Sequence, residues 1–116
     1  MLSDTSQVAP ANTPQERDVM PAYVVAGNHV TDAEIMGEYA KHVPATLEPY
    51  GGRFVVRGGQ IDLVEGAWNT PRLVVIEFPS REHARNWYDS AAYQAIIQGR
   101  FDGARTDFFM IVDGVA

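Results

Sequence analysis

The sequence predicts an α+β domain of the ferredoxin-like kind, one antiparallel sheet with helices on one face. Three observations predict it. The elements run strand, helix, strand, strand, helix pair, strand, which is the split βαβ order. The segments "LVVIEF" and "FFMIV" are apolar at both parities, as strands buried on both faces are. The first helical segment carries a one-sided apolar stripe at helical spacing.

Each element has a local reason. Tyr23 to Ala26 is a short β-branched and aromatic run, read as a strand. Thr31 and Glu34 have capping-box spacing, so a helix is expected to start near Asp32. Ile35, Tyr39, Val43, Leu47 and Tyr50 then form its stripe. Pro44 lies inside that pattern and lacks an amide donor, so a kink or a division is expected there. Gly51 and Gly52 close the helix. Arg53 to Arg57 is a strand, and Ile61 to Val64 reads as its continuation after a glycine break. The stretch "EGAWNTP" is a connection rich in turn residues. Arg72 to Phe78 is the strongest strand, and Pro79 stops it. Ser80 is placed to cap "REHARNWYD", and Ser90 to cap a second piece ending near Gly103. Phe108 to Val112 is the last strand.

Composition narrows the function classes. The chain has 116 residues with 15 acidic and 9 basic side chains, a formal charge of −6, and Lys41 is its only lysine. Nucleic acid and anionic membranes need concentrated positive charge, so neither is expected as a partner. No apolar run is long enough to span a bilayer. The absence of cysteine removes thiol chemistry and fits a reducing, cytoplasmic setting. Residues 1–19 are polar and free of aromatics, and read as a flexible tail before a domain over 20–116, with Met20 as an alternative start. The helices of one chain cover one sheet face only. The doubly apolar strands therefore predict a second layer, which a homodimer supplies most simply.

The motifs "YGGRFVVRGG", "VVIEFPSREHARNWYDSAAYQAI" and the closing "VDG" together resemble a bacterial family of small proteins, domain-of-unknown-function family 1330. That resemblance covers Met20 to about Gly114. It implies a dimeric α/β barrel within the ferredoxin-like superfamily, and it implies no assigned reaction. Ala91-Ala92 stand where many relatives show Pro-Glu, a difference at the start of a helix.

The candidate chemistry rests on few residues. Four positions apart on one strand, Arg53 and Arg57 are expected to share a face, about 13 Å apart at roughly 3.3 Å per residue. They suit a planar anionic ligand, although each alone is more simply a partner for an acid or for solvent. Glu77, the single charge of "LVVIEF", is either paired with one of them or a proton-handling group, the pair being the commoner outcome. Tyr39 and Tyr93 lie on helices facing the sheet and are candidates to line a pocket, with Tyr39 and Glu77 as the candidate catalytic residues. Core packing is the simpler role for both tyrosines. Arg100, seven residues after Tyr93, shares its helix face. His29, His42 and His83 form no two-histidine motif, so neither metal nor cofactor is expected. The glycine pairs match no phosphate loop. The expected function is binding of a small anionic or aromatic molecule, with or without cofactor-free catalysis. The alternative is a non-catalytic homodimeric binding or stress-associated protein whose polar residues only stabilise the fold.

Overall fold

A computed structural model describes residues 20–116, so the tail expected at 1–19 lies outside the described residues. The chain forms β1 (Ala22–Val30), α1 (Ala33–Leu47), a 3-10 turn (Glu48–Tyr50), β2 (Arg53–Arg57), β3 (Arg72–Phe78), α2 (Arg81–Asp89), α3 (Ala91–Gly103) and β4 (Ala104–Asp113). The four strands make one antiparallel sheet in the order β2-β3-β1-β4, the ferredoxin-like arrangement.

Alternation decides what each strand buries. Val24 and Ala26 of β1 and Ile76 and Phe78 of β3 turn toward the helices. There they form the core with Val43, Leu47, Trp87, Tyr93 and Ile97. The opposite parity carries Tyr23, Val25, Leu73 and Val75, which are half-buried, and Met110 and Val112, which are 50% and 46% exposed. No described helix covers that second face. No helix among the described residues is long and apolar enough to cross a membrane.

The helix ends follow local chemistry, with one shift. Ser80 accepts from the His83 amide and Ser90 from the Tyr93 amide, as their spacing predicts. In α1 the cap is Asp32 rather than Thr31. Its carboxylate accepts from the Glu34 and Ile35 amides, while the Thr31 and Asp32 amides both go to the Gly103 carbonyl. The stripe moves accordingly: Ile35 is 39% exposed and Met36 is buried in its place.

Pro44 does not divide α1, which continues to Leu47. The proline removes the amide that would bond the Ala40 carbonyl four residues earlier. Arg57 supplies the missing donor from β2, Nη2 to the Ala40 oxygen at 2.9 Å. The two residues are therefore expected to be coupled. Arg57→Ala should cost about 1 kcal/mol in the native chain, the usual net worth of a hydrogen bond. In a Pro44→Ala background, where the helix regains its own amide, that cost should drop below about 0.5 kcal/mol. Urea unfolding of the four chains of this cycle checks it.

Ile61 to Val64 does not continue β2; residues 58–71 form no strand. Gly58 turns with φ 72° after its amide makes a last bond to the Leu73 carbonyl. Beyond it β3 offers only Arg72, because β3 begins there and Pro71 has no amide to offer.

Candidate functional site

The arginine pair expected on one face is separated by a bulge. Arg53 pairs with Glu77 and Phe54 with Ile76, but Val56 pairs with Val75 and Arg57 with Val74, so the register slips by one residue at Val55. A one-residue insertion turns all following side chains to the other face. Arg53 stays on the open face with Glu77. Arg57 passes to the helix side, where its guanidinium lies 4.2 Å from the Phe54 ring centroid and reaches Ala40.

On the open face, Glu77 is held in an ion pair with Arg53 and accepts from the Tyr23 hydroxyl at 3.2 Å. Burial, then the Glu77 hydrogen bond, pushes the Tyr23 phenol above its ordinary value. The candidate catalytic residues Glu77 and Tyr39 are not brought together. Glu77 belongs to the open face, whereas Tyr39 packs against the core on the other side of the sheet.

Between sheet and helices the chain builds a connected polar line. The hydroxyls of Tyr39 (α1) and Tyr93 (α3) meet at 2.7 Å. Arg100 Nε donates to the Tyr93 oxygen at 3.2 Å and Nη1 to Thr106 at 2.8 Å, and the Thr106 hydroxyl donates to Asn28 at 3.0 Å. Arg100 is 3% exposed, yet no carboxylate pairs with it among the described residues. Its plane is covered by the Phe109 and Phe101 rings, with centroids 4.5 and 5.0 Å away. Burial opposes its charge, but the Tyr93 and Tyr39 oxygens hold its pKa above the ordinary arginine value. Burial, then Tyr93, pushes the Tyr39 phenol far up, so Tyr39 is a neutral donor and not a base.

This line borders a small cavity of about 40 Å³, with Asn28, Tyr39, Arg57 and Arg72 as its polar walls and Met36, Val43, Phe54 and Val74 among its apolar ones. Arg72 Nε is buried there with no hydrogen-bond partner. Its guanidinium lies so close over Gly58 that a Cβ at that glycine would come within 2.2 Å of it. The cavity thus has two guanidinium groups in its wall, a third one residue behind it, and no acid among the described residues that line it.

Four of the six candidate residues are thus placed at or beside one site: Tyr39, Tyr93, Arg57 and Arg100. Arg53 and Glu77 are elsewhere. Asn28 and Arg72 were not anticipated, although parity points to both. Asn28 is a polar residue in step with Val24 and Ala26, and Arg72 is in step with Val74, Ile76 and Phe78.

Residues 21–115 match the family described as Domain of unknown function (DUF1330). The chain belongs to this family. No curated protein matches it. Among solved structures, RPA0582, a protein of unknown function from Rhodopseudomonas palustris, superposes on this DUF1330 chain with a TM-score of 0.65 at 14% identity, over 84% of this chain and 83% of that one. The methylated RPA0582 protein gives the same TM-score of 0.65 and 14% identity, with 84% and 82% covered. A conserved protein from Methanosarcina mazei Go1 gives 0.53 at 16% identity, over 84% of this chain and 96% of that one. At such identities the likeness concerns the fold alone.

Proposed function

We propose that this DUF1330 protein is a homodimer that binds a small organic anion, a carboxylate above all, between its sheet and its helices. One observation carries the binding reading: a small, half-open and mostly apolar cavity with the guanidinium groups of Arg57 and Arg72 in its wall, backed by the buried Arg100, and no carboxylate paired with any of the three among the described residues. A buried cation without an anion is costly, and a bound carboxylate offsets that cost through charge-assisted hydrogen bonds. The orphaned Arg72 Nε and the Tyr39 hydroxyl are the donors it would meet. The volume admits a carboxylate group, and the apolar walls accept the first carbons attached to it.

The dimer is supported by the open sheet face. Val25, Leu73, Val75, Met110 and Val112 form an apolar surface that this chain leaves uncovered among its described residues. A second copy related by a twofold axis presents the same surface in return.

The closed Arg53–Glu77 pair favours a second reading, in which the polar residues only hold the fold together. A thermal-shift series with acetate, propionate and benzoate, against chloride at equal ionic strength, separates the two. The binding reading expects a rise in Tm that saturates with ligand, and its loss in Arg72→Gln. A carboxylate bound at one hundred times its Kd stabilises by about 2.7 kcal/mol, a shift of several degrees for a domain of this size. No shift beyond chloride, or an undiminished one in Arg72→Gln, favours the second reading.

A further inference from the structure

We propose that His29, held by Asp107 and Thr70, is the general base of a proton-transfer site at the Val30 end of β1, on the open sheet face at the edge of the patch proposed for the second copy, where it takes a proton from a small carbon acid with an apolar or aromatic body. This goes beyond the anion cavity and shares no residue with it.

The geometry begins with a second bulge. In the β1–β4 ladder Gly27 pairs with Phe108 and Asn28 with Thr106, which leaves Asp107 as the extra residue. The insertion turns the Asp107 carboxylate to the His29 side. His29 Nε2 lies 2.9 Å from Asp107 Oδ2. Thr70 donates to the same oxygen at 2.6 Å, and Arg105 Nε donates to Oδ1 at 3.3 Å. Thr70 is 4% exposed, so its hydroxyl is a fixed element. Gly27 makes the approach possible: a Cβ there would lie 2.6 Å from the Phe108 ring and 2.7 Å from the Thr70 methyl.

The Thr70 bond, followed by Arg105 and His29, keeps the Asp107 carboxyl below its ordinary range. An ionised Asp107 accepts from Nε2, which keeps the proton on that nitrogen and leaves the Nδ1 lone pair without a partner among the described residues. The His29 and Asp107 side chains are partly accessible. His29 forms one wall of an open groove of about 450 Å³ whose other walls include Ile61, Leu63, Trp68 and Asn69. Trp68 is braced edge-on against Phe108, with centroids 5.7 Å apart. An oriented imidazole beside a groove with an aromatic wall is the arrangement that general-base catalysis requires. Nδ1 accepts the proton, the C–H electron pair stays on the substrate as an enolate, and the imidazolium returns the proton at a second atom. The step consumes no co-reactant.

The test uses 5-nitrobenzisoxazole. Its C–H proton goes to the base, the C–H pair becomes the additional π bond that turns C=N into a nitrile, the N–O bond breaks with its pair on oxygen, and the cyanophenolate formed is read by absorbance. The native protein should exceed free imidazole at equal concentration by about 100-fold, the scale of positioned general bases. His29→Gln should lose at least about tenfold of that rate with an unchanged circular dichroism spectrum. Asp107→Asn, a positioning change, should lower kcat and leave KM unaltered. Trp68→Ala, at an exposed position that folding tolerates, should raise KM. A native rate equal to that of imidazole, a full rate in folded His29→Gln, or an unchanged KM in Trp68→Ala would each overturn the proposal.

Discussion

Trp87→Ala is expected to lower stability by about 3–5 kcal/mol, the range for removing a buried aromatic from a core. Trp87 is 0% exposed and is the largest fully buried side chain among the described residues. Its ring is 4.2 Å from Tyr93, 5.5 Å from Phe78 and 6.3 Å from Phe109 between centroids, so it joins α2, α3, β3 and β4. Its indole Nε1 also donates to the Thr46 hydroxyl at 3.0 Å, and that hydroxyl donates to the Val43 carbonyl at 2.6 Å. Truncation opens a cavity and strips a buried hydroxyl of one partner, two separate costs. Small domains hold only about 5–15 kcal/mol in total. Equilibrium unfolding in urea should show the midpoint falling by a third or more of its native value. A loss under about 1.5 kcal/mol would mean that the aromatic cluster is not the main joint of the layer.

Met110→Asp is expected to abolish the proposed dimer and leave the single chain intact. Met110 stands on the open face of β4 opposite Val25 and is 50% exposed in one copy, so a charge there costs the isolated fold little. Across a twofold axis the substitution counts twice, and it brings two carboxylates into an apolar contact. The penalty of several kcal/mol per desolvated ion predicts a dissociation constant raised by about a thousandfold or more. Sedimentation equilibrium at micromolar protein should find a native dimer and a variant monomer. A native monomer, or a variant dimer of native strength, would contradict the proposed assembly.

The elements were legible in the sequence wherever one residue type dictates a local outcome. Ser80 and Ser90 cap helices because a hydroxyl at that position satisfies a free amide. Gly51 adopts φ 72° at the end of the 3-10 turn because it has no Cβ to clash. Bulges were not legible, since an inserted residue is defined by the strand it faces. The slips at Val55 and Asp107 depend on β3 and β1, which lie far along the chain. Both shape the proposed sites. One sends Arg57 to the helix side and leaves Arg53 with Glu77. The other aims Asp107 at His29, 78 residues away in sequence. The role of Arg57 was half legible: Pro44 announces a free carbonyl at Ala40, but nothing local names the donor.

Arg72 reports most directly on the proposed anion cavity. Its Nε–H is buried and unpartnered, whereas those of Arg81 and Arg85 lie on the surface beside Asp113 and Asp89. In ¹⁵N–¹H correlation spectra of the arginine side chains, assigned with Arg72→Gln, titration with propionate should move the Arg72 Nε–H resonance downfield along a saturable curve as it gains an acceptor. An Arg72 signal that moves no more than those of Arg81 and Arg85 would contradict the proposal that this cavity binds an anion.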